Sequence, residues 1–182
     1  MKLKLGKKQQ YYAGSYVRLY GTEFFDKTGK RHIWEWFDKS DVVSVLPITN
    51  DGKAVLVKNY RVPLEKYVIE PPMGANDKDG ENFEEIAKRE LLEETGYAAD
   101  KLTPLPPWPY RSGTSRNMIY GFVATGLKKV NDAAGDDTED LTVLEVPLKK
   151  LISLCLNPPA DALFLPEIIA MYEMAKELKI IP

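Results

Sequence analysis

Three glutamates within five residues set the chemical question. From Asn82 to Thr95 the chain has helical periodicity, and Gly96 stops the run as a C-terminal cap. At roughly 100° per residue, Phe83, Ile86 and Ala87 share one stripe. Glu90 and Glu94 continue that stripe within roughly 20° of Phe83, with Glu93 on its shoulder. Carboxylates at the edge of a core-facing stripe repel one another and resist desolvation. They require a compensating positive charge, and a divalent cation with oxygen ligands is the simplest source of it. The plain alternative is a solvated helix laced with Glu-to-Lys pairs four residues apart.

The flanks decide between these readings. Glu81, seven intervening residues, Arg89-Glu90-Leu91, Leu92, Glu93-Glu94, Thr95 and Gly96-Tyr97 follow one another at a known spacing. The segment resembles the Nudix box, G-x5-E-x7-R-E-U-x-E-E-x-G-U, where U is bulky and apolar. Chance agreement at one fixed start is below about one in a million. One position departs. The box glycine falls at Ala75, while Gly74 stands one residue earlier, so the loop from Gly74 to Gly80 is one residue longer than the pattern.

The resemblance implies a hydrolase that uses Mg2+, or Mn2+, to neutralise and orient a diphosphate. It implies Glu90 and Glu94 as principal metal ligands and Glu93 as a third ligand or a helper. The Met73 carbonyl completes the shell, and a Glu81–Arg89 pair holds the loop on the helix. Some Nudix enzymes take their general base from the box, so Glu93 is one candidate. The ADP-ribose type takes it from a loop before a late strand. Here that loop ends Asp136-Asp137-Thr138-Glu139-Asp140, which makes Glu139 the first choice for base or extra ligand and Asp137 its competitor.

The likeness extends beyond the box. Val45-Leu46-Pro47-Ile48, Asp51 to Val57, Asn59-Tyr60-Arg61, Val68 to Pro72 and Val146-Pro147-Leu148 are similar to ADP-ribose pyrophosphatases. In that group an N-terminal strand pair precedes the fold and is exchanged across a homodimer, and Tyr16 to Phe37 resembles it. Trp34 and Trp36 alternate with Glu35 on that strand, to stack on a base or to pack the dimer. Arg61 is either a diphosphate clamp or one half of an ion pair. ADP-ribose enzymes carry a proline fifteen residues past the box, where this chain has Ser112. Its setting, Tyr110 to Arg116, is a glycine-serine loop with Arg111 and Arg116 that suits a phosphate or sugar. The expected substrate is therefore ADP-ribose or another nucleoside diphosphate sugar such as GDP-mannose. Another nucleotide, or a non-catalytic nucleotide-sensing module, is the alternative.

These side chains need elements to hold them. The 182 residues suit one domain with a short extension, and 44% hydrophobic with 29% charged residues is ordinary for a globular chain. A net charge of -2 gives no general drive toward nucleic acid or anionic membrane. The single Cys155 excludes an internal disulfide and points to a reducing cytoplasm. The single His32 excludes a multi-histidine zinc centre within one chain. Met1 to Gln10 carries four lysines with no apolar run behind them; they could touch phosphate, but the segment reads better as a solvated tail.

Tyr16 to Phe25 and His32 to Phe37 read as strands, and Asp41 to Ile48 with Lys53 to Tyr60 as a hairpin about Asn50-Asp51-Gly52. Tyr67 to Ile69, Met118 to Ala124 and Leu141 to Val146 read as further strands. Leu148 to Leu156 and Ala162 to Leu178 read as helices. The pattern predicts a mixed α/β domain. The resemblance makes residues 41–182 a Nudix-type α/β/α sandwich with a mixed sheet. It makes residues 1–40 an N-terminal antiparallel strand extension for dimerisation.

Overall fold

In the computed structural model, which describes residues 2–76, 80–133 and 140–181, the glutamate-bearing run is helix α1, Phe83–Thr95. Asn82 caps its start, accepting from the Glu84 and Glu85 amides at 3.1 and 3.0 Å, while the Glu85 carboxylate accepts from the Asn82 amide at 3.0 Å. This reciprocal box satisfies the orphan donors of the first turn. Gly96 ends the helix at φ 71°, its N–H donating to the Leu92 carbonyl at 2.8 Å.

The strands are β1 (Lys4–Ala13), β2 (Arg18–Phe25), β3 (Arg31–Asp38), β4 (Val42–Pro47), β5 (Lys53–Arg61) and β6 (Lys66–Glu70). They continue with β7 (Met73–Ala75), β8 (Tyr97–Pro104), β9 (Trp108–Pro109), β10 (Met118–Lys129), β11 (Leu141–Pro147) and β12 (Ala162–Phe164). The remaining helices are α2 (Leu151–Leu156), preceded by a 3-10 turn at Leu148–Lys150, and α3 (Glu167–Glu177).

The chain divides into two compact units. One comprises Met1–Asp41 and Trp108–Ile119; the other comprises Val42–Pro107 and Tyr120–Pro182. The first contains the antiparallel sheet β1-β2-β3. Residues 114 and 115 join β3 there, through Phe37 N–H to the Thr114 carbonyl at 2.7 Å and a bridge between Phe37 and Ser115. The expected solvated tail is thus a strand. Every side chain of β1 is exposed, so its sequence has no buried face to announce it.

The second unit holds two sheets, of strand order β7-β4-β10-β8 and β11-β5-β6-β12. β12 runs parallel to β6, whereas β5 is antiparallel to both β6 and β11, which makes this sheet mixed. Val43 and Val45 of β4 are fully buried in a core with Ile86, Ala87 and Leu91 of α1 and Phe122 and Ala124 of β10. Ser44, on the alternate face, meets Met171 of α3, its Oγ 3.5 Å from the sulfur. A helix on each face of β4 is the α/β/α layering that the resemblance implies.

Two expectations need correction. Asp41–Ile48 and Lys53–Tyr60 do not form one hairpin ladder. The turn forms, with the Thr49 amide donating to the Lys53 carbonyl at 2.9 Å, but β4 and β5 belong to different sheets and share only the bridge Ile48–Ala54. The last predicted helix begins late: Ala162–Phe164 is strand β12, and α3 starts beyond Pro166.

Candidate functional site

α1 presents Ile86, Ala87, Glu90, Leu91, Glu94 and Thr95 to the interior. Glu90 is 8% exposed and Glu94 4%, so both carboxylates lie one helical turn apart in a poorly solvated place. β7 runs against them. The Met73 N–H donates to Glu94 Oε2 at 3.3 Å. At Gly74 an added Cβ would stand 1.9 Å from Glu90 Oε1, so only glycine lets the backbone come this close. Gly74 therefore serves as the box glycine. Ala75 is exposed and gives the loop its additional residue.

Arg89 gathers the other carboxylates. Its Nε and Nη2 meet Glu81 at 3.3 and 3.2 Å, and its Nη1 meets Glu90 Oε1 at 2.6 Å and Glu93 Oε2 at 3.2 Å. Burial works against the guanidinium charge, but Glu81, Glu90 and Glu93 outweigh it and raise its pKa above the ordinary arginine value. The Glu81–Arg89 pair implied by the box is present, and it extends to two further glutamates. The Glu93 side chain is half-exposed and turned toward Arg89.

These donors suit a hard divalent cation. They are oxygen atoms, two of the carboxylates are buried, and a backbone strand lies beside them with no side chain intruding. Among the described residues no three His, Cys, Asp or Glu side chains gather as a full ligand set. Glu90 and Glu94 would therefore share a cation with main-chain oxygen or water. Glu139 and Asp137 lie outside the described residues. Their neighbour Asp140 is fixed, accepting from the Tyr67 hydroxyl at 2.5 Å and, through its carbonyl, from the Tyr60 amide at 3.1 Å.

Arg61 is ion-paired. Its Nη2 lies 2.5 Å from Oε1 of Glu70, a residue only 4% exposed. The Arg61 side chain is 36% exposed, so the pair does not close off its solvent side.

The remaining candidates sit in the first unit. Trp34, Trp36, Ser112 and Arg116 line one cavity of about 420 Å³, with Lys8, Gly113, Thr114 and Ser115. The two tryptophans share a strand face but differ in freedom. Trp36 stacks on Tyr20 at 5.0 Å, and Lys8 Nζ stands 4.5 Å from its ring centre and 3.8 Å from that of Tyr20. Trp34 is 53% exposed, with its Nε1–H anchored on the Gly113 carbonyl at 2.7 Å. Arg116 pairs with Asp38 at 2.7 Å. Arg111 is exposed, sits over the Tyr110 ring at 6.0 Å, and is not among the cavity residues.

Sequence reasoning placed Lys8 in a solvated tail, whereas it lies on strand β1, and found Gly74 one residue ahead of the box pattern.

Comparison with known proteins agrees with this geometry. A NUDIX domain family model matches residues 38–170. An ADP-ribose pyrophosphatase of Bacillus subtilis (strain 168) is 34% identical over 81% of this chain and 80% of its own length. A methanol dehydrogenase activator of Bacillus methanolicus is 35% identical, over 80% and 79% of the two chains. A crystal structure of an ADP compounds hydrolase shares the fold, with a TM-score of 0.82 at 23% identity over 98% of this chain and 94% of that one. A buried pair of box glutamates, a glycine that admits the loop and a family match over most of the chain lead to one conclusion: this protein belongs to the Nudix hydrolase family.

Proposed function

We propose that this chain hydrolyses the diphosphate bond of ADP-ribose or a related nucleoside diphosphate sugar, releasing a nucleoside monophosphate and a sugar phosphate. The observation that carries this reading is the buried pair Glu90 and Glu94 packed against the Met73–Gly74 backbone. Nudix hydrolases generally use divalent metal ions. Here Glu90, Glu94 and the Met73 carbonyl would hold Mg2+, or Mn2+ in its place. When bound, the cation supplies neutralisation of the diphosphate's charge. Arg89 bridges Glu90 and Glu93 and ties them to Glu81, which fixes the acidic face before substrate arrives. Glu139, or else Asp137, takes the proton of the attacking water. Glu93 is the third candidate, but its contact with Arg89 favours a positioning role.

Substrate identity rests on further candidate residues of each unit. The names of the two Bacillus relatives differ, one for ADP-ribose and one for an effect on a dehydrogenase, so substrate must be argued from residues. Arg61, tethered to Glu70 with its side chain 36% exposed, suits a diphosphate oxygen. Trp34 suits the base better than Trp36, because Lys8 and Tyr20 already cover Trp36. Ser112 and Arg116 line the same cavity and suit ribose or phosphate oxygens, as does the neighbouring Arg111. The test is a panel of nucleotide sugars with phosphatase-coupled phosphate release, run with and without EDTA. ADP-ribose and GDP-mannose should be cleaved, EDTA should stop the reaction, and added magnesium should restore it. Cleavage of none of the nucleotide sugars, or cleavage indifferent to EDTA, overturns the reading.

A further inference from the structure

Arg61 meets Glu70 from the far end of their ladder. β5 and β6, both in the second unit, are antiparallel, with Arg61 opposite Lys66 at one end and Val57 opposite Glu70 at the other. Side chains alternate along a strand, so Val57, Asn59 and Arg61 share one face, and Lys66 and Glu70 stand on it too. The backbones of Arg61 and Glu70 are therefore four ladder positions apart, roughly 13 Å along the strands. Arg61 Nη2 nevertheless lies 2.5 Å from Glu70 Oε1. The arginine is thus stretched along the sheet, and its guanidinium stands at the Glu70 end rather than at its own. Lys66, directly opposite Arg61, offers it only like charge.

That end of the sheet leads to the box glutamates. Glu70 is followed by Pro71 and Pro72, both buried, and then by Met73, whose N–H donates to Glu94 Oε2 at 3.3 Å. The Pro72 carbonyl is held by the Val45 amide at 2.9 Å, and successive prolines leave the link few conformations. Three residues reach at most roughly 11 Å, so Glu70 stands at a short, stiff span from the Met73–Glu94 contact. The Glu70 side chain is 5% exposed and that of Arg61 36%, so the buried carboxylate takes one edge of the fork and leaves other N–H donors to solvent. Stability alone is a poor reason for burying a carboxylate, since its desolvation offsets much of the attraction. We propose that Glu70 is a positioning residue. It draws the Arg61 guanidinium along the sheet to the Met73 end, where the free edge forms a clamp for a diphosphate oxygen before substrate arrives.

This inference rests on the diphosphate hydrolase reading, and two measurements on the same variants separate them. One is kcat/KM for ADP-ribose. The other is calorimetric binding of methylenediphosphonate with magnesium, a diphosphate mimic that needs no turnover, sugar or base. Arg61→Ala should lower kcat/KM about 100-fold and Glu70→Gln about tenfold. Because Glu70 acts through Arg61, adding Glu70→Gln to Arg61→Ala should change either quantity by less than about twofold. A Glu70→Gln loss that persists in full in the Arg61→Ala background overturns the proposal. Arg61→Lys keeps both charges of the pair, but an ammonium has no second edge to offer while it serves Glu70. It should fall within about threefold of Arg61→Ala. Activity of Arg61→Lys within about threefold of wild type overturns the proposal, even if Glu70→Gln proves too unstable to assay. If the mimic shows the coupling while no nucleotide sugar is cleaved, the hydrolase reading fails and the clamp stands. Cleavage of ADP-ribose without the coupling removes the clamp alone.

Discussion

The two buried box glutamates differ from Glu93 in what surrounds them. Glu94 is 4% exposed and takes a backbone N–H, whereas the Glu93 side chain is 50% exposed and meets only the edge of Arg89. A ligand lost from the buried position leaves developing charge on the diphosphate uncompensated. Glu94→Gln should therefore cut kcat by on the order of 10³ while leaving the melting temperature near wild type. Glu93→Gln should cost only about tenfold, because water can replace its contact with Arg89. Steady-state kcat at saturating magnesium checks both, and equal losses would show that Glu93 is a ligand of the same rank. Gly74 gives a sharper test of geometry. A methyl group there would meet Glu90 Oε1 at 1.9 Å and Cγ at 2.7 Å, so either Glu90 rotates away or β7 retreats. Gly74→Ala should lower kcat at least about tenfold and cost about 1–3 kcal/mol of stability, as overpacking does. Full activity in that variant would mean that the carboxylate is not needed where the fold now holds it.

At the scale of elements, local chemistry and long-range pairing divide the work. α1 was legible because its caps are written in neighbouring residues: Asn82, Glu85 and Gly96 each act within four positions of their partners. Gly96 adds a tertiary reason, since a Cβ on it would meet the Asn131 carbonyl at 2.2 Å. Gly96→Ala must pay for φ 71° and for that clash, so urea unfolding should show a loss above about 2 kcal/mol. A loss below about 1 kcal/mol would mean that the 131 region yields easily. The turn at Asn50-Asp51-Gly52 was equally local and was read correctly. Its strands were misassigned because sheet membership depends on β10 and β11, far away in sequence. Ala162–Phe164 was read as helix for a related reason: a short apolar run carries no period until its partner, the Tyr67–Ile69 stretch, is known. Of the candidate site, the pair Glu90 and Glu94, the Arg89–Glu81 tie and the tryptophans were visible in spacing. Strand β1, which carries Lys8, was not, because its side chains are all exposed and its place is set by cross-strand register.

At the scale of the molecule, the net charge of -2 conceals a segregation. Residues 1–41 and 108–119 hold eleven basic and five acidic side chains, so the rest of the chain is strongly acidic. The first unit also displays apolar surface: Ile33 is 51% exposed and Phe37 43%, on the face of β3 opposite to Trp34 and Trp36. A three-stranded sheet needs cover for such a face. A second copy offers both requirements, apolar surface of the same kind and acidic surface of opposite charge, and closed twofold pairing is the commonest solution. The full chain should therefore be a homodimer at micromolar concentration by light scattering, and its dimer should weaken as salt rises through the screening range. Deleting residues 1–38 should give monomers or aggregate, since it removes the sheet that the partner would cover and bares the segment 108–119 that joins it. A full-length monomer under these conditions, or a truncated chain that remains dimeric, would place the dimer contact elsewhere or nowhere.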